Sequence, residues 1–110
     1  MTGAPAIGAL DRRLTIETPT ATSDGAGGET VVWTKLADVW GRVDALSAAE
    51  RDRSGRLDGV ATHRVTIRAR TGVTGGQRLK VDGRTLMILA TRPVGVRDRF
   101  LLIEAEEEGR

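Results

Sequence analysis

The segment Thr62–Arg70, THRVTIRAR, alternates strictly between the two sides of an extended chain. Successive side chains of a β-strand point to opposite faces of a sheet, so the pattern predicts a half-buried strand. The expected inner face carries His63, Val65, Ile67 and Ala69, and the expected outer face carries Arg64, Thr66, Arg68 and Arg70. A cationic outer face of this kind fits nucleic acid, a partner subunit or simple solubility, and the choice depends on the rest of the chain.

The remaining segments predict further short strands separated by turns. The predicted strands are Arg12–Glu17, one bent strand or two strands within Val31–Leu46, Arg78–Val81, Arg84–Ala90 and Phe100–Ala105, the last mostly apolar and therefore central. Asp82-Gly83 predicts a type I′ hairpin turn, because both central positions of that turn need positive φ. Thr18–Thr30, rich in Gly, Thr and Ser, is expected to be a loop or long hairpin turn.

The fold class expected from these segments is all-β. Six or seven short antiparallel strands with regular turn signals and no long helix indicate a small β-barrel or sandwich with one long inserted loop. The chain of 110 residues is expected to form a single domain. We assign residues 1–10 to a flexible N-terminal arm, 11–105 to the barrel and 106–110 to an acidic tail, with the inserted loop at about 46–60.

The inserted segment Ser47–Gly59, SAAERDRSGRLDG, breaks the strand pattern. Its three arginines are balanced by three carboxylates, and Ser47 and Glu50 have the spacing of a helix capping box. Long polar insertions between strands are usually functional or disordered. A solvated mixed-charge loop, salt bridges between subunits and direct phosphate contact all remain open for it, although the charge balance weighs against phosphate.

Composition argues against catalysis and bound cofactors. The chain has no cysteine, which excludes thiolate metal ligands and a cysteine nucleophile. With His63 as its single histidine, a zinc or iron site or a serine nucleophile would lack partner residues. The glycines of TGVTGGQRLK precede a strand and not a helix, which indicates a turn and not a phosphate loop. We expect no enzyme activity, no cofactor and no metal. The start of the chain lacks the pattern of a signal peptide, and no stretch is long enough to span a membrane.

The two tryptophans are expected either to pack in the core or on a half-buried strand, or to act as interface anchors, since Trp and Arg are enriched at binding hot spots. Trp33 and Trp40 are seven residues apart, so on one regular strand they face opposite sides unless a bulge intervenes. We expect Trp40 to point outward. The candidate subunit-interface residues are Trp40, Arg42, Arg64, Arg68 and Arg70.

Taken in order, several motifs resemble the phage head–tail joining, or head-closure (stopper), proteins, a family that gene transfer agents also use. The motifs are LDRRLTIETPT, DGAGGETVVWTKLADVWGRVDAL, THRVTIRAR and LKVDGRTLMI, and the resemblance covers about residues 9–105. None is specific alone; the pairing of VWGRVDALSAAE with THRVTIRAR in this order carries the resemblance.

The resemblance implies a small β-barrel that forms a ring between the portal-side adaptor and a tail terminator or tail-side ring, in a virion or phage-like particle assembled in the host cytoplasm. The loop at about Leu46–Val60 would project into the channel and hold double-stranded DNA without sequence specificity. Residues that this role implies are Ser47, Glu50, Arg51, Asp52, Arg53 and Arg56. The charge balance of the loop departs from a strongly cationic clamp.

The alternative is a stand-alone nucleic-acid-binding barrel of the OB kind. Such proteins use aromatic stacking platforms in a basic groove. The chain has two Trp, one Phe and no Tyr, and its formal net charge is only +2. This composition favours the structural connector over the nucleic-acid binder.

Overall fold

A computed structural model describes residues 10–49 and 60–108 of the chain, which form six β-strands. The strands are β1 (Arg12–Ser23), β2 (Glu29–Ala45), β3 (His63–Arg68), β4 (Arg78–Val81), β5 (Arg84–Val94) and β6 (Phe100–Glu107), with a short 3-10 turn at Val96–Asp98. The expectation of an all-β fold with six or seven strands is confirmed.

The six strands form one antiparallel sheet that closes on itself. Their order around the barrel is β1-β2-β3-β6-β5-β4, and β4 pairs with β1 to complete the ring. β6 lies between β3 and β5, and because a closed ring has no edge strand, the predicted central position of the last strand distinguishes it from no other strand. Of the two predicted architectures, the barrel is the one adopted.

Alternating aliphatic side chains fill the barrel, as expected for a chain with few aromatics. Leu14, Ile16, Val65, Ile67, Leu79 and Ile103 are all fully buried. Gly41 lies in the same layer, paired with Arg12 on one side and Ile67 on the other. A Cβ at Gly41 would come within 2.6 Å of Leu14 Cδ1 and 2.9 Å of the Thr66 carbonyl oxygen, so only glycine fits there.

The segment Thr62–Arg70 forms β3 as predicted, with one correction at its end. Val65 and Ile67 are buried in the core, and His63 is also buried. Ala69, however, was expected on the inner face and is instead exposed, because β3 ends at Arg68. The Ala69 amide donates to the Arg99 carbonyl in the neighbouring turn, which takes the chain out of the sheet.

The first hairpin is much longer than predicted. Thr18–Thr30 was expected to be a loop or a long hairpin turn, but β1 continues to Ser23 and β2 begins at Glu29, so only residues 24–28 turn. The segment Val31–Leu46 forms a single strand whose register with β1 shifts after Ile16/Glu17, leaving Leu36 as the extra residue of a bulge. Cross-strand pairing of Thr, Val and Trp outweighs the turn-like composition.

The β4–β5 connection is the predicted turn. Asp82 has φ of 51° and Gly83 has φ of 77°, as a type I′ turn requires. The segment TGVTGGQ is also a turn, and the buried Gln77 organises it: its Nε2 donates to the Gly72 carbonyl and its Oε1 accepts from the Thr74 amide.

Strand direction gives the barrel two distinct ends. At the loop end, β2 leads into the inserted segment, β4 turns into β5 and β6 finishes. At the hairpin end lie the turn of residues 24–28, the connection 69–77 and the turn 95–99. Ser47 therefore lies at the loop end, whereas the candidate interface residues lie on the barrel wall and toward the hairpin end.

Candidate interaction surfaces

The base of the inserted loop is firmly attached to the barrel. Leu46 and Ala61 are buried, the Leu46 amide donates to the Thr62 carbonyl at 2.9 Å, and the Thr62 amide donates to the Ala105 carbonyl. Ser47 is exposed at the start of the loop. The other candidate channel residues, Glu50, Arg51, Asp52, Arg53 and Arg56, lie outside the described residues.

A polar cluster at the loop end ties three strands together. The buried His63 lies with Nδ1 2.8 Å from the Thr62 hydroxyl and Nε2 3.4 Å from Arg84 Nη2. Arg84 also donates to both carboxylate oxygens of Glu107, and this pairing raises the pKa of Arg84. The Glu107 amide donates to the Thr62 hydroxyl. These contacts link β3, β5 and β6 next to Thr62, close to where the chain re-enters the barrel after the inserted segment.

The same cluster accounts for part of the segment assigned to the acidic tail. β6 runs to Glu107, so this strand includes the first two residues of 106–110. Glu107 contacts Arg84 within the same chain, and Glu104 lies beside Arg64 in the register of β3 and β6. Some carboxylates of the C-terminal segment therefore lie beside arginines of the same chain.

The five candidate interface residues separate into two groups. Arg42 donates from Nε to the Asp44 carboxylate, and Arg64 lies in register between Asp44 on β2 and Glu104 on β6. Side chains directly opposite on neighbouring strands are close enough to interact. The cationic charge of this part of the wall is consequently offset by carboxylates of the same chain.

The other three candidates gather at the hairpin end. Trp40, Arg68 and Arg70 line an open groove of about 450 Å³, together with Leu10, Val39 and Ala69. Trp40 is 53% exposed, as predicted, and the Arg13 guanidinium lies 5.2 Å from its ring centroid. Among the described residues, Arg68 and Arg70 form no ion pair. The groove, which we call the Trp40 groove, is thus apolar with two available cations.

The long hairpin extends beyond the barrel as a two-stranded ribbon. β1 pairs with β4 only at Thr15–Glu17, and β2 pairs with β3 only from Gly41 onward. Among the described residues, Thr18–Thr34 therefore forms strand pairs only within the hairpin, and we call this segment the ribbon. Val31 and Val32 on it are 52% and 50% exposed.

A stacked contact fixes the ribbon to the barrel. The Arg78 guanidinium of β4 lies 4.2 Å from the ring centroid of Trp33 and donates to the Glu17 carboxylate. The bulge at Leu36 restores the parity between the two tryptophans, so Trp33 and Trp40, paired with Pro19 and Arg13, lie on the same outer face. Trp33 is half-buried in this contact, whereas Trp40 is free to contact a partner.

The tip of the ribbon is a small, ordered, acidic turn. Asp24 Oδ1 accepts from the Ala26 amide at 2.8 Å and the Gly28 amide at 3.0 Å. These hydrogen bonds lower the pKa of Asp24, and the one from the Ala26 amide has the largest effect. The sequence signal that could have revealed the ribbon is the lack of charge in Thr18–Ser23 and Thr30–Thr34, on both sides of the glycine-rich turn.

Among the described residues, no group of His, Asp and Glu side chains is arranged to hold a metal ion. In the same part of the chain no helix has the length and apolar character to cross a membrane.

Comparison with known proteins gives two kinds of match. The family model described as phage head completion protein matches residues 5–108. The solution structure of protein SF1141 from Shigella flexneri 2a is 30% identical, with a TM-score of 0.75 over 94% of this chain and 97% of that chain. A protein in the virion of a native gene transfer agent particle is 28% identical, with a TM-score of 0.67 over 89% of this chain and 94% of that chain. A search of curated protein sequences found no match.

Proposed function

The chain belongs to the family of phage head completion proteins, and we propose that it acts as the stopper ring that closes the filled head and receives the tail. As a member of this family of structural virion proteins, it is a component of a virion or phage-like particle. In the proposed position, copies of the chain lie between a portal-side adaptor and a tail-side ring. The inserted loop holds double-stranded DNA in the channel.

The observation that carries the proposal is the similarity to a protein of the gene transfer agent virion over nearly the whole of both chains. Three features of the barrel support it. The inserted segment is flanked by the buried residues Leu46 and Ala61, so it is anchored to the barrel on both sides. The His63 cluster stabilises the base of the loop. The opposite end carries separate surfaces suited to protein partners, so one chain can face DNA and protein at once.

The charge distribution supports loose retention of DNA and not tight binding. Affinity for duplex DNA comes mainly from cations that displace the counterions of phosphates. The loop is balanced in charge, and Arg42 and Arg64 lie beside Asp44 and Glu104. A loop of this kind blocks the channel by its bulk when several copies meet.

Deletion of Ala48–Asp58 tests the role of the loop. Because Leu46 and Thr62 are joined by a backbone hydrogen bond, a short Gly-Ser linker can span the gap without strain. We expect the barrel to stay folded, by circular dichroism and urea unfolding, and the particles to lose nuclease-protected DNA or to lack tails. The matched control replaces the same residues with a Gly-Ser segment of equal length, which separates bulk from side-chain chemistry.

The outcomes distinguish the alternatives. If the deletion unfolds the domain, the loop belongs to the core and its assignment to the channel is wrong. If the isolated chain binds free DNA tightly and in a salt-sensitive way, the OB-like nucleic-acid binder replaces the connector. Electron microscopy of particles, with the chain labelled, would locate it at the head–tail junction and count its copies.

A further inference from the structure

We propose that the tip of the ribbon of one copy docks in the Trp40 groove of a second copy. This inference rests on the proposed ring and deepens it by naming the contact that joins neighbouring subunits. Four properties of the described residues support it. They are the lack of charge in the two strands of the ribbon, the size and charge of its tip, the lining of the groove, and the distance between the tip and the groove within one chain.

The ribbon has the composition of the centre of a protein interface. Charged residues make up 29% of the chain, yet Thr18–Ser23 and Thr30–Thr34 carry none. Cores of interfaces are depleted of charge and enriched in aromatic residues. An isolated two-stranded hairpin is only marginally stable in water. A ribbon with Val31 and Val32 half exposed gains stability when a partner covers it.

The size and charge of the tip suit the Trp40 groove. Its turn, Asp24-Gly25-Ala26-Gly27-Gly28, has small side chains except for Asp24, and Glu29 follows directly. Asp24 and Glu29 argue against DNA as the partner of the tip, because the carboxylates would repel phosphates. They complement Arg68 and Arg70, which form no ion pair among the described residues.

The groove supplies the matching apolar floor. Leu10, Val39 and Trp40 lie beside the two arginines in an open volume of about 450 Å³. A glycine-rich turn can enter such a space, whereas a turn with large side chains would fill it before reaching the floor. Burial of the exposed Trp40 ring adds apolar area, the kind of contact that dominates binding hot spots.

The tip cannot reach the groove of its own chain. Trp40 lies on the barrel at the base of the ribbon, and six residue pairs from Thr18 to Ser23 extend the ribbon by about 20 Å at roughly 3.3 Å per residue. The contact of Arg78 with Trp33 and Glu17 resists bending back. If the tip pairs with a Trp40 groove, that groove therefore belongs to another copy of the chain.

Such pairing is heterologous, because two different patches meet. Repetition of a heterologous contact generates a closed ring when the rotation between copies closes, and an open filament when it does not. The contact is small, so isolated chains should associate weakly and assemble fully where an adaptor holds several copies together. We therefore expect the purified protein to be monomeric or weakly associating.

Disulfide trapping tests the contact directly, because the chain contains no cysteine. The double variant Ala26→Cys, Ala69→Cys places one thiol in the tip and one in the groove, at two exposed positions. The two Cα atoms must approach within about 7 Å to be bridged, which the length of the ribbon forbids within one chain. Mild oxidation at high protein concentration should give a ladder of dimers, trimers and larger oligomers on a non-reducing gel.

The control pairs Ala26→Cys with Ser47→Cys, which is exposed at the loop end, and should give no comparable ladder. A ladder from the tip–groove pair alone supports the inference. Dimers only, formed equally by Ala26→Cys by itself, would mean that tips meet tips in an isologous contact. Equal ladders from both pairs, or none from either, would also overturn the inference.

A charge exchange provides a second readout. Arg68→Glu with Arg70→Glu gives a copy with an acidic groove, and Glu29→Arg gives a copy with a less acidic tip. With the cysteine pair present in both, each variant alone should lose most of its ladder. In an equimolar mixture, the unchanged acidic tip of the Arg68→Glu, Arg70→Glu copy meets the unchanged groove of the Glu29→Arg copy, so cross-linked dimers containing one copy of each variant should return. Failure of the mixture to recover would overturn the role of these charges.

The tests separate this inference from the proposed function. If no ladder forms but deletion of the loop still releases DNA from particles, another contact joins the ring and the stopper role stands. If the ladder forms but the chain lies elsewhere in the particle, the tip–groove contact stands and the stopper role falls.

Discussion

The strands β1 and β2 belong to both the barrel and the ribbon, yet different interactions stabilise the two regions. In the barrel, Leu14 and Ile16 are fully buried and every strand has two neighbours. In the ribbon, β1 and β2 form strand pairs only with each other among the described residues, and Val32 is half exposed. The barrel is stabilised by burial of its own apolar surface, whereas the ribbon carries apolar surface for a partner to cover.

The largest expected effect separates the two regions by stability. Ile67→Ala removes a fully buried side chain and should reduce the free energy of unfolding by about 2–5 kcal/mol. Val32→Ala on the ribbon should change it by less than about 0.5 kcal/mol. Urea unfolding followed by tryptophan fluorescence measures both. Similar losses in the two variants would show that the ribbon folds as part of the core and would break the comparison.

A smaller effect is expected where the two regions join. Arg78→Ala removes the guanidinium stacked on Trp33 and bonded to Glu17, a contact that should contribute about 1 kcal/mol. Because the contact anchors the ribbon, amide hydrogen exchange should accelerate more in Thr18–Thr34 than in β3 or β6. Arg13→Ala, which removes the stacking on Trp40 of the barrel wall, is the matched control. Uniform acceleration along the whole chain would contradict an anchoring role.

The smallest expected effect is confined to the tip of the ribbon. The pKa of Asp24 is lowered because its carboxylate accepts the amides of Ala26 and Gly28. A carboxyl whose folded pKa is depressed stabilises the fold above its unfolded pKa, and this contribution is lost as pH falls through the folded pKa. The turn should therefore loosen only in acid, below the ordinary aspartate pKa of about 4.

Amide chemical shifts of Ala26 and Gly28 across an acid titration measure this loosening. Asp24→Asn keeps an acceptor but removes the charge, so its turn should show no corresponding transition. A transition of equal size at the β4–β5 turn, Asp82-Gly83, would show that the change is global and not local to the tip.

Sequence patterning predicted the barrel well because burial imposes a strict alternation. The predictions that Val65 and Ile67 lie in the core and that Asp82-Gly83 forms the turn are confirmed. The pattern failed where burial ends. Ala69 continued the alternation but lies outside the sheet, and Thr18–Ser23 has turn-like composition but forms a strand.

The candidate surfaces were predicted only in part for the same reason. Trp40 was correctly expected to be exposed, but the sequence did not show that it shares a groove with Arg68 and Arg70 while Arg42 and Arg64 lie beside carboxylates. Exposed side chains are not constrained by a local period. Their neighbours come from strands that are distant in sequence.

By itself, the sequence determined the all-β class, the aliphatic core and the family, because alternation and turn residues are local properties and the motifs follow one another in order. The tertiary structure decided the closure of β1 against β4, the bulge at Leu36 that brings both tryptophans to one face, and the projection of the ribbon. Each depends on the register between strands, which is fixed by packing across the barrel and not by any single segment.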